Sequence, residues 1–186
     1  MLTRRIALGA FAAAALLLTA AAPSAKATQI VLIGAGAADG VETLAARQIC
    51  SLVDEHAGHK YGCIPRTAPG SDFNIRAIEI GLMEFAFVRS ERAHETVAGS
   101  GAGEDEPAAG LRSAFGLRPD GLLLVTGADV ADDLVYDVVR IVFESLGVLQ
   151  GAHPSFGALE PAAMVQGLAA PLHPGAARYY REQGWL

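Results

Sequence analysis

Hydrophobic and polar positions alternate along the chain in short apolar runs and longer amphipathic ones. From Thr28 the run TQIVLIGAG is apolar and ends in glycines, and GVETLAARQICSLVDEH follows with Val41, Leu44, Ala45, Ile49, Leu52 and Val53 at helical spacing. YGCIPRT reads as a second strand. A helix opens at Gly70–Ser71, carries Phe73, Ile75, Ala77 and Ile78 among polar positions, and stops at Gly81. MEFAFVRS is a third strand, followed by a short helix through His94 and Val97. The stretch from Ala98 to Gly110 has no large apolar residue and predicts a flexible loop, after which LRSAFGLRP and GLLLVTG read as two strands about the turn Pro119-Asp120-Gly121. The longest stripe then runs through Val130, Leu134, Val135, Val138, Val142, Phe143, Leu146 and Leu149. Asp129 is placed as its N-cap, Asp132 and Asp133 stand in its first turn, and Pro154 ends it. Pro174 starts a last helix, whose Tyr179–Tyr180 pair is expected to pack down on the sheet. Strands and helices alternating with short links predict an α/β fold, a mixed sheet flanked by helices, with right-handed crossovers.

The N-terminus does not belong to that pattern. Arg4 and Arg5 precede an apolar stretch from Ile6 to Ala22, and Ala25-Lys26-Ala27 has the small-x-small form of a signal-peptidase site. Residues 1–27 are therefore read as a signal peptide and 28–186 as the mature domain, with an uncleaved anchor as the alternative and a weak hint of twin-arginine export in Thr3-Arg4-Arg5. Formal net charge is −6, and the leader holds three of the positive charges and none of the negative, so the mature chain stands at −9. Without a basic cluster, neither nucleic acid nor an anionic membrane is an expected partner. A mature chain of this length suits one domain with a core of its own.

Candidate chemistry is sparse. Cys50 and Cys63 are expected to form a disulfide in an oxidising compartment; a four-ligand zinc set with His56 and His59 is the alternative. Gly34, Gly36 and Gly40 imitate a dinucleotide fingerprint, but the third glycine falls one place late and no acidic partner follows, so the loop reads as a tight strand-to-helix turn that can also approach a ligand. Gly70, Ser71 and Asn74 stand at a helix N-terminus, where free N–H groups attract carboxylate or phosphate; plain N-capping by Ser71 is the competing reading. Arg89 falls just past a strand end, placed to hold a carboxylate or, alternatively, to pair with Glu91 or face water. Ser90 and His94 share a helix face without a nucleophile elbow, and His153 and His173 sit in His-Pro steps that suit structural roles. Neither an enzyme nor a cofactor is expected.

The succession IGAG, ARQIC, YGC, TAPGSDFNIRAIEIGLMEFAFVRSE, LRSAFGLRP, VTGADVADDLVYDVVRIVFESL, HPSF and APLHPGAARYYRE resembles the TAXI family of solute-binding proteins of TRAP transporters over nearly the whole mature chain. The resemblance implies a periplasmic-binding-protein type II-like fold and a periplasmic receptor. It also implies a small organic solute, such as an amino acid or dicarboxylate, and delivery to a TRAP membrane permease. It carries solute-contacting roles onto Gly36 and Glu42 of the first loop, Thr67, Gly70, Ser71 and Asn74 of the second, and Arg89 and Ser90 of the third. The loops depart from the family's pattern in three places, the second by Pro69 in its glycine region. The aromatic residues of the family's first loop are replaced by Gly40-Val41-Glu42-Thr43, and its Gln-Ser-Asp third loop by Arg89-Ser90-Glu91. The family's second lobe also falls between stretches that are neighbours here, Pro119 and Val125, which implies a single lobe. With its cleft face uncovered, the chain has a rival reading as an interaction protein that docks a permease, a partner receptor or a second copy in a homodimer.

Overall fold

The computed structural model describes residues 28–99, 110–117 and 121–186. The leader, most of the loop expected from Ala98 to Gly110, and the Pro119–Asp120 part of the turn lie outside the described residues. β1 (Gln29–Gly34) pairs in parallel with β2 (Tyr61–Arg66) along its full length, and with β3 (Phe85–Arg89) only through Ile33–Phe85 and Gly34–Ala86. β5 (Leu122–Gly127) runs antiparallel to β3, and β4 (Leu111–Leu117) antiparallel to β5, giving the order β2-β1-β3-β5-β4. The sheet is mixed, as expected. Every position of β5 is buried, which is why GLLLVTG reads as a continuous apolar run rather than an alternating one.

α1 (Val41–His56) connects β1 to β2, and α2 (Ser71–Glu79) connects β2 to β3. The two crossovers step in opposite directions across the sheet, so with one handedness they place their helices on opposite faces. Two apolar clusters result. One gathers Val31, Ile33, Phe85, Phe87, Leu122 and Leu124 under α1, α4 (Asp132–Glu144), α5 (Leu146–Ala152) and α7 (Pro174–Glu182). The other gathers Ala86, Val88, Leu123 and Val125 under α2 and α3 (Ser90–Ala98). Each large side chain so buried contributes about 1.5–3 kcal/mol. Beyond α5 the chain makes a short 3-10 turn, Pro154–Phe156, and a one-turn helix α6 (Pro161–Met164). No helix among the described residues is long and apolar enough to cross a membrane.

The long stripe after β5 departs from expectation at both ends. Asp129 is not the cap: Ala131 holds that position and the helix starts at Asp132, with Asp132 and Asp133 in its first turn. The reason is distant in sequence, because the Val130 carbonyl accepts a hydrogen bond from His173 Nε2 at 3.0 Å and stays outside the helical ladder. The stripe also breaks at Ser145, whose φ of −113° divides α4 from α5, although Leu146 and Leu149 stay on the buried face.

His173, Gly175 and Tyr180 help to dock α7. His173 Nδ1 accepts from the Gly175 N–H at 3.1 Å, which leaves its Nε2 carrying the proton given to Val130. Gly175 stands where a Cβ would lie 2.2 Å from the Asp132 carbonyl oxygen, so α7 crosses the start of α4 at a distance only glycine permits. Tyr180, fully buried, donates its hydroxyl to the Ala114 carbonyl at 2.6 Å, placing the tyrosine pair on the sheet as expected.

Cys50 and Cys63 are bonded to each other, with Cα atoms 4.8 Å apart, stitching α1 to β2. The zinc alternative falls because the bond consumes both thiolates. Both sheet edges are protected. On the β2 side Asp54 accepts the Cys63 N–H at 2.8 Å and Pro65 offers none, and on the β4 side Ser113 bonds Pro171 and His173 through its backbone.

Candidate functional site

The carboxyl ends of β1, β2 and β3 meet at one edge, and β4 ends and β5 begins at the same edge, since Leu122 pairs with both Arg89 and Leu117. The strands flanking β1 there are served by helices from opposite faces. Such a switch point leaves a crevice between helix N-termini, the usual ligand position of an open α/β sheet.

Three loops line it, bound to one another by the backbone. In the first, the Thr43 hydroxyl donates to the Ala37 carbonyl at 2.7 Å, and the Gly40 N–H bonds the same carbonyl, closing the turn from Gly36 to Gly40. The second loop joins it where the Ala68 N–H donates to the Gly36 carbonyl at 3.2 Å, next to exposed Thr67. Gly70 then caps α2 with φ 144°, a conformation that favours glycine. The third loop is tied in by Ser71, whose hydroxyl accepts the Arg89 N–H at 2.9 Å, and by the Ser90 N–H, which donates to Gly121 at 2.6 Å. The competing reading of Ser71 as the cap of its own helix is therefore corrected: it fastens the start of α2 to the end of β3.

Arg89 is directed across the crevice to Glu42, with 3.1 Å between Nη2 and Oε1, and not to Glu91 as the alternative had it. Glu42 is 17% exposed and Arg89 54%. Asn74 has a different place from its neighbours. It is fully buried, and its amide nitrogen donates to the Ala35 and Phe87 carbonyls, both at 2.8 Å, bridging β1 and β3 where their pairing stops. It is a clip beneath the crevice floor. Its Oδ1 has no hydrogen-bond partner among the described residues and faces Gly34, where an added Cβ would stand 2.9 Å from it. Of the predicted residues, the structure thus brings Gly36, Glu42, Thr67, Gly70, Ser71, Arg89 and Ser90 to one edge and puts Asn74 under them.

Sequence reasoning missed Thr43, the loop's organising hydroxyl, which looks like any polar residue in a helix's first turn. It also missed Arg92, which bonds Asp72 at 2.7 Å and Glu95 on its own helix, holding α3 to α2. Phe73, on the first turn of α2, is 44% exposed beside these groups.

A second concavity, about 630 Å³, lies at the opposite edge and is lined by residues including Gln29, His59, Lys60, Tyr61 and Asp133. Its charges are already paired: Asp137 binds the Lys60 ammonium, which raises the lysine's pKa, and Arg178 binds Asp133 at 3.0 Å. It contains none of the glycine-loop groups.

No curated protein matches the chain. Residues 120–184 match the NMT1-like family. The NMT1-like match takes in β5 and every element after it, α4 to α7, including the His173-Pro174-Gly175 docking of α7. It begins two residues before β5. The three loops of the crevice lie outside it.

Proposed function

We propose that the chain is an extracytoplasmic solute-binding subunit of TRAP type, close to the TAXI proteins, which takes a small organic solute in the crevice and presents it to a membrane permease. The observation that carries the reading is the convergence of Gly36, Thr67, Gly70, Ser71, Arg89 and Ser90 at the carboxyl ends of three strands, at the sheet's switch point. The NMT1-like match supports it, since that family is related to periplasmic binding proteins, and it begins where a chain returning from a second lobe would re-enter the sheet. The disulfide and the leader fit export to the periplasm. In this reading the described sheet is a complete lobe, the second lobe is missing, and no catalysis is involved.

A one-lobe receptor encloses a solute on one side only, whereas binding pockets usually bury most of their ligand. Affinity is therefore weaker than a two-lobe receptor's unless a second chain supplies the other wall. The rival reading takes the uncovered crevice as a docking face for a permease, a receptor or a second copy; the exposure of Phe73 and Arg89 beside it favours this reading. Protected edges on β2 and β4 disfavour strand addition as a means of dimerising, and in this rival reading a homodimer meets through the crevice face. Calorimetry of the purified protein against amino acids and dicarboxylates separates the two: one-site heat supports solute binding, and no heat at millimolar concentration contradicts it. A stable dimer by light scattering would support docking instead.

A further inference from the structure

The crevice already contains a carboxylate. Glu42 stands in the first turn of α1, and its side chain is folded back over the glycine loop. Oε1 meets the Arg89 guanidinium at 3.1 Å. Oε2 lies against the loop, 3.2 Å from the place of a Cβ on Gly36 and 2.9 Å from one on Gly40. The missing side chains of these two glycines leave a notch, and the glutamate fills it. Residues 36, 40, 42 and 89 thus form one unit, joined across 47 positions of sequence.

This changes the electrostatics of the site. The helix N-termini and Arg89 would by themselves favour anions. Glu42 neutralises the arginine, so a solute with net negative charge must either stand beside an uncompensated carboxylate or compete with it for the guanidinium. Losing Arg89 to a competitor would in turn leave Glu42 unpaired and mostly buried, which is unfavourable. A dipolar solute meets neither difficulty: its carboxylate takes Arg89, its ammonium takes Glu42, and both protein charges stay compensated.

Taking the crevice as the solute site, we infer that Glu42 is its specificity-determining residue. It admits solutes that carry an ammonium and a carboxylate together and rejects dicarboxylates. The test is calorimetry with L-alanine, propionate and succinate on the wild-type protein, Glu42→Gln and Arg89→Ala, with melting curves confirming that each variant is folded. Wild type is expected to bind L-alanine at least tenfold tighter than succinate. Glu42→Gln, which keeps the shape and removes the charge, is expected to reverse that order. An unchanged order in Glu42→Gln, with binding still lost in Arg89→Ala, overturns the role of Glu42 and leaves the crevice as the site. Undiminished binding in Arg89→Ala overturns the crevice itself. Absence of heat from all three probes with wild type and Glu42→Gln alike overturns both.

Discussion

Single residues carry the structure's most exact requirements. Gly175→Ala forces a methyl group against the Asp132 backbone, where neither helix can yield without undocking. Destabilisation of about 3 kcal/mol is expected by urea denaturation, the upper range for overpacking. His173, fully buried, has its pKa lowered, first by burial, against the raising effects of Asp132, the Val130 carbonyl and Asp129. Protonation would also replace the lone pair that accepts the Gly175 N–H. With the folded value below the unfolded value of about 6.5, the unfolded chain binds the proton first, so stability falls as pH drops below that point. His173→Asn, whose side-chain oxygen can still accept the Gly175 N–H, is expected to flatten this part of the stability-against-pH profile. These roles were half legible: a His-Pro-Gly sequence announces a capped helix start, but its partners, Val130 and Asp132, are some 40 residues away.

At the scale of elements, the strands were legible because their patterns report burial directly. GLLLVTG is a strand covered on both faces, and its apolar run says so, whereas TQIVLIG is covered on both faces only toward its end, with Ile30 still 51% exposed. Helix boundaries were less legible. Asp129 has the composition of a cap, yet a long-range bond from His173 displaces the start of α4 to Asp132, and the apolar stripe continues through a backbone break at Ser145. In the crevice, the convergence of the glycine-rich loops and Arg89 at the strand ends was legible in their places after apolar runs. Asn74 was not, because the same residue type serves at a helix start or as a buried clip between strands. The α1–β2 element depends on its disulfide, which closes a loop of 13 residues. Replacing Cys50 and Cys63 together by alanine is expected to lower stability by roughly 3 kcal/mol in denaturant, chiefly through a freer unfolded chain, with solute binding at saturating solute retained.

For the whole molecule, topology decides where function can sit. Two crossovers in opposite directions put α1 and α2 on opposite faces and open a crevice at the ends of β1 and β3, and the end of β4 and the start of β5 lie at that same edge. The order of elements predicted the α/β class, but the sequence could not show that the second concavity exists at the other edge, since it forms from β1, β2 and α4 only after folding. The two concavities make rival claims on any solute, and an amide-resolved NMR titration distinguishes them most directly. With a solute that raises the melting temperature, shifts are expected to concentrate at Gly36 to Glu42, Thr67 to Ser71, and Arg89 to Ser90. Shifts confined to Gln29, His59, Lys60 and Asp133, with the three glycine-loop segments unmoved, would contradict the crevice as the binding site.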